Sequence, residues 1–189
     1  MLGQSLVTAA RARGHAALGL SREQADIEDA GRLRYWAETF RPEAVINCAA
    51  YTRVDLAEGE GREKAFAVNG KAVGNVVAAA ASVGARLLHV STDYVFDGTA
   101  RQPYREDAPV NPLSVYGQSK LAGEREALSY GKALVVRTSW LYGAGGPNFV
   151  DTIRRLARER DRLEVVDDQV GRPTCTGTLA NAMVELVMR

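Results

Sequence analysis

Five short apolar runs, each bounded by turn-forming residues, alternate with longer stretches whose apolar residues recur at a helical period. This alternation constrains the fold more than any other feature. A run such as Leu87-Leu88-His89-Val90 shows no polar/apolar alternation, so it suits a strand covered on both faces, and that calls for a parallel sheet with helices on each side. Along the chain the pattern predicts a helix over 2–13 stopped by Gly14, a strand over 16–20, and a helix over 29–40 ending before Pro42. A strand over 44–47, a helical stretch over 62–83 closed by Gly84, and a strand over 86–90 follow. Residues 91–112 carry three prolines and Gly98 in a long irregular connection, and loops of that length in compact domains tend to be functional. The remainder predicts a helix over 114–128, a strand over 133–137, a helix over 148–160, a strand over 163–166 and a last helix over 176–188.

The class is therefore α/β, a doubly wound parallel sheet. Folds of this kind that bind dinucleotides open with a strand and a glycine-rich turn, whereas this chain starts inside a helix with Met1-Leu2-Gly3-Gln4. Gly3 reads as the last glycine of such a turn, or else as a glycine that merely lies in a helix. On the first reading the opening strand of the sheet precedes Met1, and a chain without it is expected to bind a dinucleotide poorly and to be marginally stable, since that strand is central.

Twenty-four basic against 23 acidic side chains leave a net charge of +1, so no single-sign field recruits nucleic acid or an anionic membrane. No apolar stretch approaches the roughly 18 to 20 residues that span a bilayer, and no basic-apolar signal segment opens the chain. Cys48 and Cys175 lie far apart without metal-ligand spacing, and Cys48 reads as a buried free thiol. The expectation is a cytoplasmic protein with a small-molecule partner and no metal.

Tyr116 and Lys120 are four apart on a predicted helix and share one face. A nearby ammonium favours the phenolate of a tyrosine, which suits proton exchange with a carbonyl oxygen. Alone the pair is weak evidence, because a Lys falls four after some Tyr often by chance. Context comes from Val90-Ser91-Thr92-Asp93-Tyr94, where a buried-looking strand ends in hydroxyl and carboxyl groups, at the sheet edge where open α/β folds bind ligands. Thr92 and Tyr116 could share the oxygen of a reacting carbonyl, although such residues also end strands routinely. Asn47-Cys48-Ala49-Ala50-Tyr51-Thr52 places small residues where backbone could pass close to a flat ligand. Ser21-Arg22 stands where an acid would hold the ribose 2′-hydroxyl of NAD and an Arg the 2′-phosphate of NADP, which tilts the cofactor toward NADPH with NADH as the alternative. His89 reads as a core residue, and the acidic run Asp55, Glu58, Glu60, Glu63 as a solvated helix start.

These motifs together resemble the dTDP-4-dehydrorhamnose reductase family of extended short-chain dehydrogenases. The stretches that carry the likeness are 47–58 (NCAAYTRVDLAE), 91–98 (STDYVFDG), 111–124 (NPLSVYGQSKLAGE), 137–143 (RTSWLYG) and 165–174 (VVDDQVGRPT). The resemblance implies a Rossmann-type sheet and an NAD(P)H-dependent reduction of a C4 keto group on a dTDP sugar, for dTDP-rhamnose and polysaccharide synthesis. It implies Thr92, Tyr116 and Lys120 as a catalytic triad, with Lys120 also on the nicotinamide ribose. Asp93, Tyr94 and Trp140 would contact the sugar nucleotide, with residues 169–174 near its nucleotide end. Gly3, Ser21, Asp26, Ile27, Ala50, Tyr51, Thr52 and Val90 match cofactor positions. It further implies that residues 1–189 are an incomplete cofactor-binding domain whose substrate-binding C-terminal portion is largely absent, and it leaves room for a homodimer. A dehydratase or epimerase on the same scaffold is the rival, but dehydratases of that group show Thr-Asp-Glu where this chain has Thr92-Asp93-Tyr94. A non-catalytic relative of the methionine adenosyltransferase β subunit is the other alternative.

Overall fold

The computed structural model describes all residues from Met1 to Arg189. The chain forms two compact units, one made of Leu20–Arg137 and the other of Met1–Gly19 with Thr138–Arg189.

The larger unit is built on a sheet in the order β1 (Ala44–Asn47), β2 (Arg86–Thr92), β3 (Ala133–Thr138). β1 and β2 run parallel with Ala44 opposite Arg86 and Asn47 opposite His89. A parallel pair needs a long crossover, and here it is helical throughout much of its length. The short α3 (Val54–Ala57) leads to α4 (Arg62–Phe66), a π-helical turn over Ala67–Lys71, and α5 (Ala72–Ser82). The continuous helix expected over 62–83 is thus interrupted by one wide turn. α2 (Ala30–Phe40) starts at Asp29, whose carboxylate accepts from Arg32 N, and ends at Arg41 in the left-handed region at φ 46°. α2 and α5 pack together over the sheet. Their core joins Ile27, Val73, Val76, Ala80, Leu87 and Ala127.

α6 (Val115–Leu128) is capped by Ser114, whose hydroxyl accepts from Gly117 N. It lies close enough to its neighbours that glycine is required twice. A Cβ on Gly117 would come within 2.2 Å of Tyr94 O, and one on Gly123 within 2.0 Å of Asn69 O.

In the smaller unit α1 (Leu2–Ala12) packs along α8 (Thr176–Met188). Leu2, Leu6 and Ala9 are buried on the first helix, and Ala180, Met183, Val184 and Val187 on the second. β4 (Leu141–Tyr142) and β5 (Thr174–Cys175) form a short parallel pair. α7 (Phe149–Glu159) is capped by Asn148, which accepts from Asp151 N, and buries none of its residues.

Two expected strands do not form. Residues 16–20 carry no ladder partner, and the carbonyl of Ala17 accepts instead from the Arg11 guanidinium at 2.9 Å. Residues 163–166 are likewise unpaired, with Val165 and Val166 exposed. An apolar run becomes a strand only where a neighbour supplies its hydrogen bonds, and β-branched composition alone does not.

Candidate active site

The carboxyl end of β2 and the first turns of α6 form the centre of the larger unit's chemistry. β2 continues through Thr92 and gives way to a 3₁₀ turn, Asp93–Val95, capped by the Thr92 hydroxyl: Tyr94 N donates to Thr92 Oγ1 at 3.2 Å. That hydroxyl donates in turn to Asp93 Oδ1 at 3.1 Å. Tyr116 and Lys120 project from one face of α6, as their four-residue spacing requires. The Tyr94 and Tyr116 rings meet edge to face with centroids 5.6 Å apart, and the Thr92 hydroxyl lies beside the Tyr116 phenol.

Burial dominates the electrostatics. It raises the Tyr116 phenol above its ordinary value, with the Thr92 hydrogen bond working the other way, so Tyr116 carries its proton at neutral pH. Burial likewise raises the Asp93 carboxyl. The Lys120 ammonium, only 2% exposed, is brought down to about 8 by burial, opposed by Glu124 and Cys48. Its Nζ donates to Val90 O at 2.7 Å, leaving two further donor positions. Burial pushes the Cys48 thiol up to about 12, which keeps it protonated and inert. His89 is fully buried, held near 3 by burial and then by Lys120, and therefore neutral. Asn47 Nδ2 donates to its Nδ1 at 3.1 Å, which puts the ring proton on Nε2.

The residues after β1 are held from both sides. Asn47 Oδ1 accepts from Ala49 N at 3.0 Å. Asn69, in the π turn and 1% exposed, grips Tyr51 twice, accepting from its N–H at 2.8 Å and donating to its carbonyl at 3.0 Å. Asn69 Nδ2 also donates to Ser119 Oγ at 3.0 Å, and Ser119 Oγ donates to Tyr116 O at 2.7 Å. The loop carrying Ala50, Tyr51 and Thr52 is thereby tied to the helix carrying Tyr116 and Lys120. Asn69 and Ser119 were not legible in the sequence as site residues. The one signal was a polar Asn within an apolar helical stretch, and π turns cluster at functional sites.

At the other end of the larger unit, Ser21 N donates to Gln24 Oε1, and the nearby Ser21 hydroxyl lowers the Glu23 carboxyl. Arg22 pairs with Asp26 at 3.0 Å, an exposed contact. Ile27 places its side chain in the core, and its carbonyl accepts from Asn75. In the smaller unit Trp140, at φ 46° and 44% exposed, packs its indole against Gly171, where any Cβ would come within 2.7 Å of the ring. Ser139 Oγ donates to Arg172 O and Thr174 N donates to Trp140 O, so residues 171–174 and Trp140 form one local assembly. Gly3 lies within α1 of that same unit. The acidic run is exposed, and Glu58 has a structural task, accepting from Val115 N at 2.8 Å.

Comparison with known proteins adds a family to this geometry. The family model described as the RmlD substrate binding domain matches residues 1–189. A dTDP-4-dehydrorhamnose reductase from Streptomyces griseus is 47% identical over 188 residues, covering 98% of this chain and 62% of that protein. A dTDP-4-keto-6-deoxy-D-glucose reductase from Streptomyces niveus is 42% identical, covering 99% and 65%. A crystal structure of dTDP-4-dehydrorhamnose reductase from Bacillus anthracis, in complex with NADP, superposes with a TM-score of 0.94 at 38% identity, over 100% of this chain and 67% of that one. The chain spans less than two thirds of the length of these two Streptomyces relatives.

Proposed function

The chain belongs to the RmlD substrate-binding-domain family, and from that premise we propose that it carries the site for NADPH-dependent reduction of the C4 ketone of dTDP-4-dehydro-L-rhamnose to dTDP-L-rhamnose, a precursor of cell-surface polysaccharide. The observation that carries the reading is the convergence of Thr92, a protonated Tyr116 and the Lys120 ammonium at the carboxyl end of β2. The donor set also suits a nicotinamide nucleotide. Lys120 keeps two donors for a ribose diol, and the small residues Ala49 and Ala50 leave room for a flat ring beside the backbone. Ser21 and Arg22 would face the adenosine ribose, with Asp26, Ile27, Ala50, Tyr51, Thr52 and Val90 along the remainder.

A bound reduced nicotinamide supplies the hydride. Thr92 would orient the Tyr116 hydroxyl and, by turning its own proton from Asp93 to the substrate, add a second donor at the carbonyl oxygen where charge grows. Tyr116 then delivers its proton to the alkoxide. The Lys120 ammonium makes that transfer easier by stabilising the phenolate left behind. Asp93 and Tyr94 would contact the sugar nucleotide from the turn after β2, where burial raises the Asp93 carboxyl.

Tyr116→Phe tests this reading. General-acid groups typically contribute about 10²- to 10⁴-fold, so single-turnover NADPH oxidation should fall by that factor while NADPH affinity stays nearly unchanged. A variant within a few-fold of the parent would remove Tyr116 from the role.

A further inference from the structure

The buried face of α6 carries an ion pair that the reduction chemistry above does not use. Glu124 is 2% exposed and accepts two parallel hydrogen bonds from Arg137, from Nε at 2.9 Å and from Nη2 at 2.7 Å. Arg137 is held in turn. Its guanidinium lies 4.9 Å from the Phe96 ring centroid, and Nη1 reaches Glu106 O at 3.4 Å. Phe96 stacks at 4.2 Å on Tyr104, whose hydroxyl donates to Asp97. Burying such a pair costs several kcal/mol of desolvation per ion, so as a fastener it is a poor bargain. Its position suggests another use. Glu124 follows Lys120 by one helical turn and shares its face.

The surroundings of Lys120 narrow the choice. Its own helix offers Tyr116 and Glu124, the segment after β1 offers Cys48, β2 offers His89, the turn after β2 offers Asp93, and β3 adds Arg137 behind Glu124. Near neutral pH the Tyr116 phenol, the Cys48 thiol and the His89 imidazole are all uncharged. Of the two carboxyls, Glu124 is the one that acts on Lys120, one helical turn away on the same face. We propose that Glu124, clamped by Arg137, is a positioning residue whose carboxylate keeps the Lys120 ammonium charged at the floor of the site. The inference rests on the catalytic assignment of Lys120 for its meaning, though not for its test. Arg137 fixes where the carboxylate sits and at the same time drains part of its field, so the two partners act on Lys120 with opposite sign.

That opposition separates an electrostatic role from a structural one. The chain has four lysines, Lys64, Lys71, Lys120 and Lys132, so ¹³Cε-lysine NMR of the full chain gives a resolvable titration, assigned with Lys→Arg changes at the other three. In E124Q the anion is gone and Arg137 remains, so the Lys120 midpoint should fall by about one pH unit or more. In R137Q the carboxylate is uncompensated and the midpoint should rise. The alkaline limb of NADPH turnover should move in the same two directions. Should E124Q fail to fold, R137Q alone decides. A Lys120 midpoint that stays put in both variants, or moves the same way in both, overturns the proposal. Absence of turnover in the parent chain, with these NMR shifts intact, would count against the proposed reduction and leave the role of Glu124 standing.

Discussion

Ser21 has no charge to set against a 2′-phosphate. Arg22 leans on Asp26 in an exposed, solvent-screened pair, so a phosphate can recruit the guanidinium at little cost. A preference for NADPH over NADH follows in kcat/KM. Ser21→Asp should reverse it by placing a carboxylate where the phosphate would lie. A parent enzyme that strongly favours NADH would show that this pair does not read the ribose. The same scale explains which site residues sequence alone could reveal. Thr92, Tyr116 and Lys120 stand out because their side chains have chemistry at recognisable spacing. Glu124 does not, since a lone Glu on a helix looks like a solvated charge until the fold buries it against Arg137. Asn69 is hidden for a related reason: its work is done by a buried amide whose partners, Tyr51 and Ser119, lie 18 and 50 residues away.

Among the elements, α6 is the one whose placement decides the site, and backbone contact sets it. Gly123 lets α6 approach the π turn until a Cβ would stand 2.0 Å from Asn69 O and 3.1 Å from Val73 Cγ2. Gly123→Ala must push the helix away, with the overpacking penalty of about 1 to 3 kcal/mol as a floor. Because Asn69 links α6 to the loop at Tyr51, NADPH affinity should fall too. Gly131→Ala, where nothing lies within 4 Å of the added Cβ, should be near neutral in the same urea titration. If the two variants melted alike, the close approach would be unimportant. Elements with strong local signals were readable in advance: β1 at 44–47, α2 behind its Asp29 cap, α6 behind Ser114, and α8. The π turn was not, since helical periodicity over 62–83 looks the same with one extra residue in a turn. Residues 16–20 and 163–166 misled because their apolar composition says nothing about whether a partner strand lies beside them.

For the whole molecule, His89 ties stability to pH. Its folded value lies near 3 against an ordinary 6.5, so between those limits the unfolded chain binds a proton that the folded chain refuses. Stability from this group is present above pH 6.5 and lost progressively as pH falls toward 3. Between pH 6.5 and 5 that amounts to about 2 kcal/mol. His89→Gln, which keeps a partner for Asn47, should flatten that part of the denaturation profile while leaving the acid loss due to carboxylates. An unchanged slope would mean the imidazole finds a way to charge while folded. The parallel pairing of β1 with β2 bears on kinetics as well. Asn47 and His89 face each other in register yet lie 42 residues apart along the chain, so no hairpin can zip this sheet from a turn. Refolding must close that long loop before the first inter-strand bond is rewarded, while the helices between can form in microseconds. Helical signal should therefore return well ahead of the sheet, and it is during that lag that unpaired strand backbone is exposed to other chains.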